Sequence, residues 1–394
     1  MRRLAPLAPL LLAAAASSQT APRPAGQYAL APDAEARWVP FELTPANQIR
    51  FDAAVDGRPA SAILDTGVSS SVLSRSFAGL DPKRVRADGK ATAIGGAVAV
   101  GWTPTARVEI GPLTRTGGGL TVATLPALAT GSERRVDLLV GADMLRAHAL
   151  EIDGERRRFR LLQSGRLPFT GPTAPLTVSP SRGVYESEIR LNGRRVRPMI
   201  VDTGDGSAMT VTRPEWQAAR TGALPMTSAV SYGLAGPAVS GLAVMPRLEL
   251  GELAARDVEM RIEEPGGFSQ RVGAAGRIGA GFLGRYRVLL DPGAGRMVLA
   301  SGPNAGAPPV RSTSGLLLGV LPDRLRVLHV MRGGPAAALG WKDGETICSV
   351  DGVRVTPGYA ALPLARWTAG EPGRIVRLAT CDGAERTLTL RRFY

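Results

Sequence analysis

The sequence predicts a mostly β protein with two similar lobes related by a pseudo-twofold axis, followed by a small α+β domain. The chain repeats its own motifs in the same order and at matched spacing, which is typical of a duplicated unit. Gly (48) and Pro (31) are plentiful and aromatic residues make up only 5% of the chain, which favours short strands joined by turns. At 394 residues, 44% of them hydrophobic, the chain is long enough for two or three domains.

The N-terminus has the parts of a secretory signal. Arg2 and Arg3 precede an apolar stretch, residues 4–16, and small residues follow it. The apolar stretch is too short to cross a bilayer, and no later stretch reaches that length. We therefore expect a cleaved signal peptide at residues 1–18, export to the periplasm or the medium, and a soluble mature chain.

The repeat is clearest in a six-residue motif. Residues 62–67, Ala-Ile-Leu-Asp-Thr-Gly, return at residues 199–204 as Met-Ile-Val-Asp-Thr-Gly. Each copy follows a tight-turn signal, Asp56-Gly57 in one case and Asn192-Gly193 in the other. In both copies the aspartate comes directly after an aliphatic run, so we expect its carboxylate at the end of a buried strand.

The match continues downstream of the motif. Leu-Val-Gly at residues 139–141 corresponds to Arg-Ile-Gly at residues 277–279, at nearly the same distance from the motif. A twofold axis between such halves brings Asp65 and Asp202 together. Two carboxylates that close cannot both ionise at neutral pH, so they hold one proton between them.

This arrangement predicts hydrolysis by an activated water. The ionised carboxyl takes a proton from a water bound between Asp65 and Asp202, and the protonated carboxyl donates a hydrogen bond to the scissile carbonyl. We predict two threonines that hydrogen-bond across the interface and two glycines that let the backbone approach closely. These supporting residues are Thr66, Thr203, Gly67 and Gly204.

On these motifs, residues 40–300 resemble the aspartic peptidases of the retropepsin and pepsin type. The resemblance implies β-barrel lobes, cleavage of an extended peptide or unfolded protein by Asp65 and Asp202, and strands with Gly141 and Gly279 beneath this dyad. It also implies a β-hairpin flap over the cleft, although ordinary hairpin turns have the same sequence pattern. The flap candidates are Ile94, Gly95, Gly96, Tyr232, Gly233 and Gly236.

The residues directly after the two Asp-Thr-Gly motifs depart from the pepsin pattern. Pepsin-like members usually carry Ser or Thr there, whereas this chain has Val68 and Asp205. Retropepsins often have an apolar residue at this position. A third carboxylate at Asp205 is expected to raise the apparent pKa values of the dyad unless it points to solvent, which leaves the pH optimum open.

The last part of the chain resembles a PDZ domain over residues 334–352. Pro335 is expected to start a short helix, Gly340 to end it, and residues 346–350 to form a buried strand. The resemblance implies a groove that binds an extended peptide by β-augmentation, with a terminal carboxylate held by the loop around Ser314. Alternatively, the domain only packs against the peptidase. The groove candidates are Gly315, Leu316, Leu317, Leu318 and Gly319.

These interpretations divide the chain into five parts. The predicted parts are a signal peptide (1–18), an N-terminal lobe (36–164), a C-terminal lobe (172–301), a linker (302–312) and a PDZ-like domain (313–394). The two cysteines, Cys348 and Cys381, are either bridged or free, and their spacing does not decide. The alternative function is a catalytically inactive peptidase fold that acts as an envelope binding or scaffold protein through its PDZ-like domain.

Several other classes of function are not expected. The formal charge is +14, but the arginines are scattered and not interleaved with aromatic residues, so we expect no nucleic-acid binding. With two histidines and no clustered cysteines, we expect no metal site. The G-x-G-x-x-G pattern at residues 279–284 precedes a predicted strand instead of a helix, so we expect no dinucleotide or other cofactor. A duplicated chain needs no partner subunit, and we expect a monomer.

Overall fold

The fold is taken from a computed structural model that describes residues 25–219 and 224–394. The predicted signal peptide, residues 1–18, lies outside the described residues. The prediction of a mostly β protein is confirmed, because strands far outnumber short helices. No helix in the described ranges is long and apolar enough to cross a membrane.

The first half of the chain folds into short strands and one short helix, α1 (Ala142–Leu145). In chain order its strands are β1 (Gln27–Leu30), β2 (Val39–Pro40), β3 (Glu42–Leu43), β4 (Ile49–Val55), β5 (Arg58–Leu64), β6 (Val72–Ser74), β7 (Arg86–Ala93), β8 (Gly96–Pro104), β9 (Arg107–Ile110), β10 (Leu113–Thr116), β11 (Gly119–Ala123), β12 (Leu138–Val140), β13 (Ala149–Asp153) and β14 (Arg158–Leu162).

The second half has similar elements, with helices α2 (Arg213–Ala218), α3 (Phe268–Arg271) and α4 (Ala280–Leu283). Its strands are β15 (Thr173–Pro175), β16 (Thr177–Val178), β17 (Tyr185–Leu191), β18 (Arg194–Asp202), β19 (Met209–Thr212), β20 (Thr227–Gly233), β21 (Gly236–Leu250), β22 (Leu253–Glu263), β23 (Gly276–Gly279), β24 (Tyr286–Asp291) and β25 (Arg296–Ser301). The first two of these strands lie at the start of the predicted C-terminal lobe.

The C-terminal region contains helix α5 (Pro335–Ala338) and a separate sheet. The helix start at Pro335 and the strand at residues 346–350 are both as expected from the sequence. The strands are β26 (Leu316–Val320), β27 (Leu325–Val330), β28 (Thr346–Val350), β29 (Val353–Arg354), β30 (Ile375–Thr380) and β31 (Glu385–Thr389).

The main sheets of the two halves have the same internal order. In the first half, the strands lie side by side in the order β5-β12-β6-β11-β8-β7, and β4 flanks β5. In the second, β18-β23-β19-β22-β21-β20 follow the same order, with β17 beside β18. The directions match too, since β5 and β18 each run parallel to the neighbours β12 and β23.

A further sheet joins the halves in the order β15-β25-β24-β13-β14-β2. At its centre β13 and β24 pair antiparallel, with Leu150 opposite Leu290. Both side chains are fully buried. The apolar residues of this sheet and of the two main sheets form one continuous core, which fixes the two halves relative to each other.

The C-terminal region carries its own core and one disulfide. Trp341, Tyr359 and Trp367 are buried in that core. Cys348 in β28 is bridged to Cys381, which follows β30. The alternative of two free thiols is therefore not what the structure shows.

The C-terminal region packs against the β20–β21 hairpin of the second half. Ser228 Oγ and His329 Nε2 lie 2.8 Å apart, and Thr227 donates a hydrogen bond to the Arg332 carbonyl at 2.8 Å. Met331 and Tyr394 join a small apolar cluster whose other members come from the hairpin, namely Ala229, Leu242 and Val244.

Candidate active site

Strand geometry brings the two Asp-Thr-Gly motifs to one place. Asp65 follows the last residue of β5, and its amide donates to the Val140 carbonyl of the parallel neighbour at 2.9 Å. Asp202 ends β18 and is 7% exposed, whereas Asp65 is half-buried at the floor of a cleft. Both carboxylates thus lie where an apolar strand stops.

Two threonines lock the motif loops together. Thr66 Oγ1 donates to the Val201 carbonyl at 2.6 Å and accepts from the Thr203 amide at 3.1 Å. Thr203 Oγ1 does the same in reverse, donating to the Leu64 carbonyl at 2.8 Å and accepting from the Thr66 amide at 3.0 Å. Thr66 and Thr203 are fully buried, so the predicted hydrogen bonding across the interface is present.

The two motif glycines lie directly against the opposite carboxyl. A Cβ on Gly67 would lie 2.4 Å from Asp202 Cγ, and one on Gly204 would lie 2.3 Å from Asp65 Cγ. Contacts that short are forbidden for a real side chain, so glycine is required at both positions. Each carboxyl is therefore packed against the motif glycine of the other half, and the two aspartates lie within hydrogen-bonding reach of each other.

The dyad carboxyls are held by backbone amides in unequal number. Asp65 Oδ1 accepts from the Gly67 amide at 3.1 Å. Asp202 Oδ1 accepts from the amides of Gly204 and Asp205, each at 3.0 Å. Burial and the neighbouring carboxylate of Asp202 raise the pKa of Asp65 well above its ordinary value. Burial and Asp205 raise the pKa of Asp202 to about 6, against the opposing effect of Arg277.

The third carboxylate does not point to solvent. Asp205 is 7% exposed and accepts from Arg277 Nε at 2.7 Å and from Ser207 Oγ at 2.7 Å. Burial alone would raise the pKa of Asp205, but Arg277 and the hydrogen bonds from Ser207 lower it below its ordinary value. Asp205 is thus an ionised neighbour of the dyad. Arg277 also donates to Glu263 at 2.6 Å.

Gly141 and Gly279 lie beside the loops that carry the dyad. Gly141 directly follows β12, and a Cβ there would lie 2.7 Å from the Val68 carbonyl oxygen. Gly279 ends β23, and a Cβ there would lie 2.2 Å from the Ser207 carbonyl oxygen. Both positions therefore need glycine so that the loop can pass close to the strand.

The flap candidates form the tips of two hairpins that meet. Ile94 and Gly95 form the turn between β7 and β8, and Gly96 begins β8. Tyr232 and Gly233 end β20, and Gly236 begins β21. The Ala235 amide donates to the Ile94 carbonyl at 3.2 Å, so the tips touch across the cleft. This contact joins the two halves at a place apart from the threonine loops and from the sheet that β13 and β24 share.

The cleft below the hairpin tips has a volume of about 470 Å³ and contains both dyad aspartates. The wall formed by the first half is apolar, with Ile63, Val72, Leu125 and Leu139 among its residues. Such a wall accepts an apolar side chain at that side of the aspartates.

The candidate groove of the C-terminal domain lies at a sheet edge. Among the described strands, β26 pairs only with β27. Leu317 and Val320 on β26 are 39% and 49% exposed. The loop before β26 is less open than expected, because the amides of Ser314 and Gly315 already donate to Thr368 O and Ser312 Oγ.

Sequence reasoning missed Arg277 and Glu263. In the match between the two halves, Arg277 stands at the position of Leu139. An arginine in a short, otherwise apolar strand that is buried in the sheet needs a carboxylate partner, and Asp205 was already noted as an unexplained acid. Together, the arginine in an apolar strand and the additional acid indicate that a buried ion pair exists.

The comparisons with known proteins bear on the first half. A sequence model of the aspartyl protease family matches residues 51–144. The match supports a retropepsin-like aspartic protease. The matched range of this chain includes Asp65, the β7–β8 hairpin and Gly141, and it ends before Asp202. A comparison with curated proteins found no match.

Proposed function

We propose that this protein is an aspartic endopeptidase that hydrolyses peptide bonds with Asp65 and Asp202. The observation that carries the proposal is the face-to-face packing of the two carboxyls, each against the motif glycine of the other half. Among the described residues that line the cleft, no other two buried carboxyls lie at the ends of adjoining strands. The aspartyl protease match over residues 51–144 supports the same chemistry.

In the proposed reaction the dyad carries one proton and one negative charge. The ionised carboxyl removes a proton from a bound water, and the resulting hydroxyl attacks the scissile carbonyl carbon. The protonated carboxyl gives its proton to the carbonyl oxygen, so a neutral tetrahedral intermediate forms. The carboxyl that took the water proton then gives it to the amide nitrogen, while the other carboxyl takes a proton from one hydroxyl of the intermediate. The C–N bond breaks, an amine and a carboxylic acid leave, and the dyad returns to its starting protonation. Thr66 and Thr203 keep the two carboxyls in register throughout.

The substrate is proposed to be an extended peptide or an unfolded protein. The cleft runs between the two halves, and the meeting hairpin tips at Ile94 and Ala235 cover it. A folded chain does not fit beneath such a cover, whereas a single strand can lie along it. The hairpins therefore act as flaps that open to admit the chain.

The test is cleavage of a reduced, unfolded protein by the purified mature chain between acid and neutral pH. We expect Asp65→Asn and Asp202→Asn to lose activity by at least about a hundredfold, since each removes half of the acid–base pair. Asp52→Asn, the same change at an exposed site on β4, is the control and should retain full activity. Equal activity in all four proteins would instead support the scaffold function.

We further propose that the C-terminal domain binds an extended segment of the substrate at β26 and acts outside the cytoplasm. The open edge of β26 and its exposed Leu317 and Val320 support strand addition. The occupied amides of Ser314 and Gly315 favour an internal segment over a free chain end. The Cys348–Cys381 disulfide supports an oxidising compartment.

Binding at β26 can be measured in the Asp65→Asn protein, which retains the groove without cleaving the ligand. Leu317→Lys should weaken binding of the unfolded protein by about tenfold, because it places a charge where an apolar contact is expected. Ile375→Lys, at a 60% exposed apolar residue on β30 away from this edge, should have no effect. Equal affinities in both variants would exclude β26 as the groove.

A further inference from the structure

A buried cluster of charges contacts only one of the two dyad aspartates. Arg277 is 3% exposed and is held by Asp205 at 2.7 Å and Glu263 at 2.6 Å. Its Nε also lies 3.9 Å from Asp202 Oδ2. Within residues 25–219 and 224–394, no arginine or lysine lies within 4.0 Å of the Asp65 carboxylate. The cation is therefore on one side of the dyad.

The first half has apolar residues where the second half has this cluster. Arg277 pairs with Ile200 in the parallel strand, just as Leu139 pairs with Ile63. Glu263 ends β22 opposite the last residue of β19, and Ala123 ends β11 opposite the last residue of β6. These two residues are therefore equivalent as well. The counterparts of Asp205, Glu263 and Arg277 in the first half are therefore Val68, Ala123 and Leu139.

The cluster changes what surrounds each carboxyl. Asp202 accepts hydrogen bonds from two backbone amides and lies 3.9 Å from a guanidinium nitrogen. Asp65 accepts one from a backbone amide, and Val68 stands on its loop at the position of Asp205. Hydrogen bonds and a nearby cation both favour the charged form of a carboxyl. Asp205 acts in the opposite direction, but it raises the pKa of both aspartates. The second amide and the guanidinium contact Asp202, so they favour a negative charge on Asp202 over one on Asp65.

We propose that Arg277, fixed by Asp205 and Glu263, makes the two carboxyls inequivalent, so that Asp202 is the ionised base and Asp65 is the proton donor. The inference rests on the proposed peptidase function and adds the assignment of roles. Asp202 takes the proton of the attacking water, and the proton of Asp65 moves to the carbonyl oxygen of the substrate. Arg277 acts through Asp202 and is a positioning residue.

The pKa values of both carboxyls are raised, as expected for a buried pair that holds one proton. The pKa of Asp65 is raised well above its ordinary value, by burial and by Asp202, whereas that of Asp202 reaches about 6. The charged groups that face Asp202 are Asp65, Asp205 and Arg277. Glu263 reaches the cluster from β22 through Arg277.

The experiment is a carboxyl carbon NMR titration of the mature protein labelled at aspartate. The two signals are assigned from their loss in Asp65→Asn and Asp202→Asn. We expect Asp202 to ionise at least about one pH unit below Asp65. The reverse order, or equal midpoints, would overturn the proposal. Because no substrate is needed, this result is independent of whether the protein cleaves peptides.

Two variants test the cause of the inequivalence. The triple change Asp205→Val, Glu263→Ala and Arg277→Leu gives the second half the residues of the first and leaves no buried charge unpaired. We expect the difference between the two midpoints to shrink, because only the additional backbone amide at Asp202 then distinguishes the carboxyls. An unchanged difference between the midpoints would show that the cluster is not the cause.

A milder variant keeps the test decisive if the triple variant does not fold. Glu263→Gln keeps the shape of the site and leaves Arg277 with less opposing charge. We expect the midpoint of Asp202 to fall by about one pH unit, with Asp65 still the later group to ionise. An unshifted Asp202 midpoint would contradict the proposal. Asp52→Asn, far from the cluster in sequence and exposed on β4, is the control for non-specific effects of charge.

Discussion

At the scale of single residues, the motif glycines are the most restrictive positions of the candidate site. Gly67 and Gly204 are needed for space, not for an unusual backbone angle, because the opposite carboxyl lies where a side chain would begin. This reciprocal contact explains why the motif is Asp-Thr-Gly in both halves. It also makes a glycine substitution a direct test of the packing of the dyad.

We expect Gly67→Ala to lower activity by at least about a hundredfold and to destabilise the fold by about 1–3 kcal/mol. The added methyl group would overlap the Asp202 carboxyl, which must move out of reach of a shared water. Activity and urea unfolding measure the two effects. Gly306→Ala is the control, since nothing lies within 4 Å of a Cβ there, and a similar loss in both variants would contradict this explanation.

The ionisation of Asp202 sets the acid side of the pH profile. Only the singly protonated dyad is active in the proposed mechanism. The pKa of Asp202 is about 6, and in the proposed assignment of roles Asp65 ionises at higher pH. Below about pH 6 both carboxyls are protonated, so we expect kcat/KM to rise as the pH increases through about 6. The measurement is initial rates of peptide cleavage across that range. A maximum at strongly acidic pH would be inconsistent with these surroundings.

At the scale of elements, local signals in the sequence are good predictors of turns and poor predictors of pairing. Asp56-Gly57 and Asn192-Gly193 predict tight turns, and all four residues have positive φ in the structure. The pairing of β13 with β24 has no such signal. Each is an apolar strand, and which apolar strands become neighbours depends on the fold of the whole chain.

The candidate site shows the same limit. Asp65, Asp202 and their threonines could be predicted because the motif repeats, and a repeat of strand ends implies that they meet. The Asp205–Arg277 ion pair could not be predicted from the sequence, because it depends on the register of β19 against β23. A charge in a buried strand indicates that some partner exists, but only the three-dimensional neighbours identify it.

The disulfide belongs to a single element pair, β28 and the end of β30. It closes a loop with a sequence separation of 33, and removing such a cross-link costs about 3–4 kcal/mol in the chain-entropy description. We expect Cys348→Ser with Cys381→Ser to speed hydrogen exchange in β28 and β30. Peptide cleavage by the dyad should persist, and its loss would mean that the C-terminal domain is needed for the active fold.

At the scale of the whole molecule, the C-terminal region packs against the β20–β21 hairpin, which in the proposed function must move to admit the substrate. The β20–β21 hairpin forms one of the two candidate flaps. Near its base, Ser228 contacts His329 and Thr227 contacts Arg332. A domain fixed there restrains the hairpin. Opening of the cleft therefore depends on contacts far from the dyad.

We expect Met331→Ala to loosen this attachment, because Met331 packs against Ala229, Leu242 and Val244 of the hairpin. Amide exchange in β20 and β21 should become about tenfold faster, as expected for a loss of a little over 1 kcal/mol of local stability. Met331→Leu, which conserves the volume, should leave the exchange nearly unchanged. Equal exchange rates in the wild type and the alanine variant would show that the domain does not restrain the hairpin.

The threonine bonds also govern when a working centre can exist during synthesis. They connect residues separated by 135 to 139 positions along the chain. Contacts of such long range form late in folding, after most of the chain is available. In the proposed function, a chain whose second half has not yet folded holds one unpaired aspartate and no nucleophilic water. The molecule would then become able to cut other chains only after both of its halves have folded.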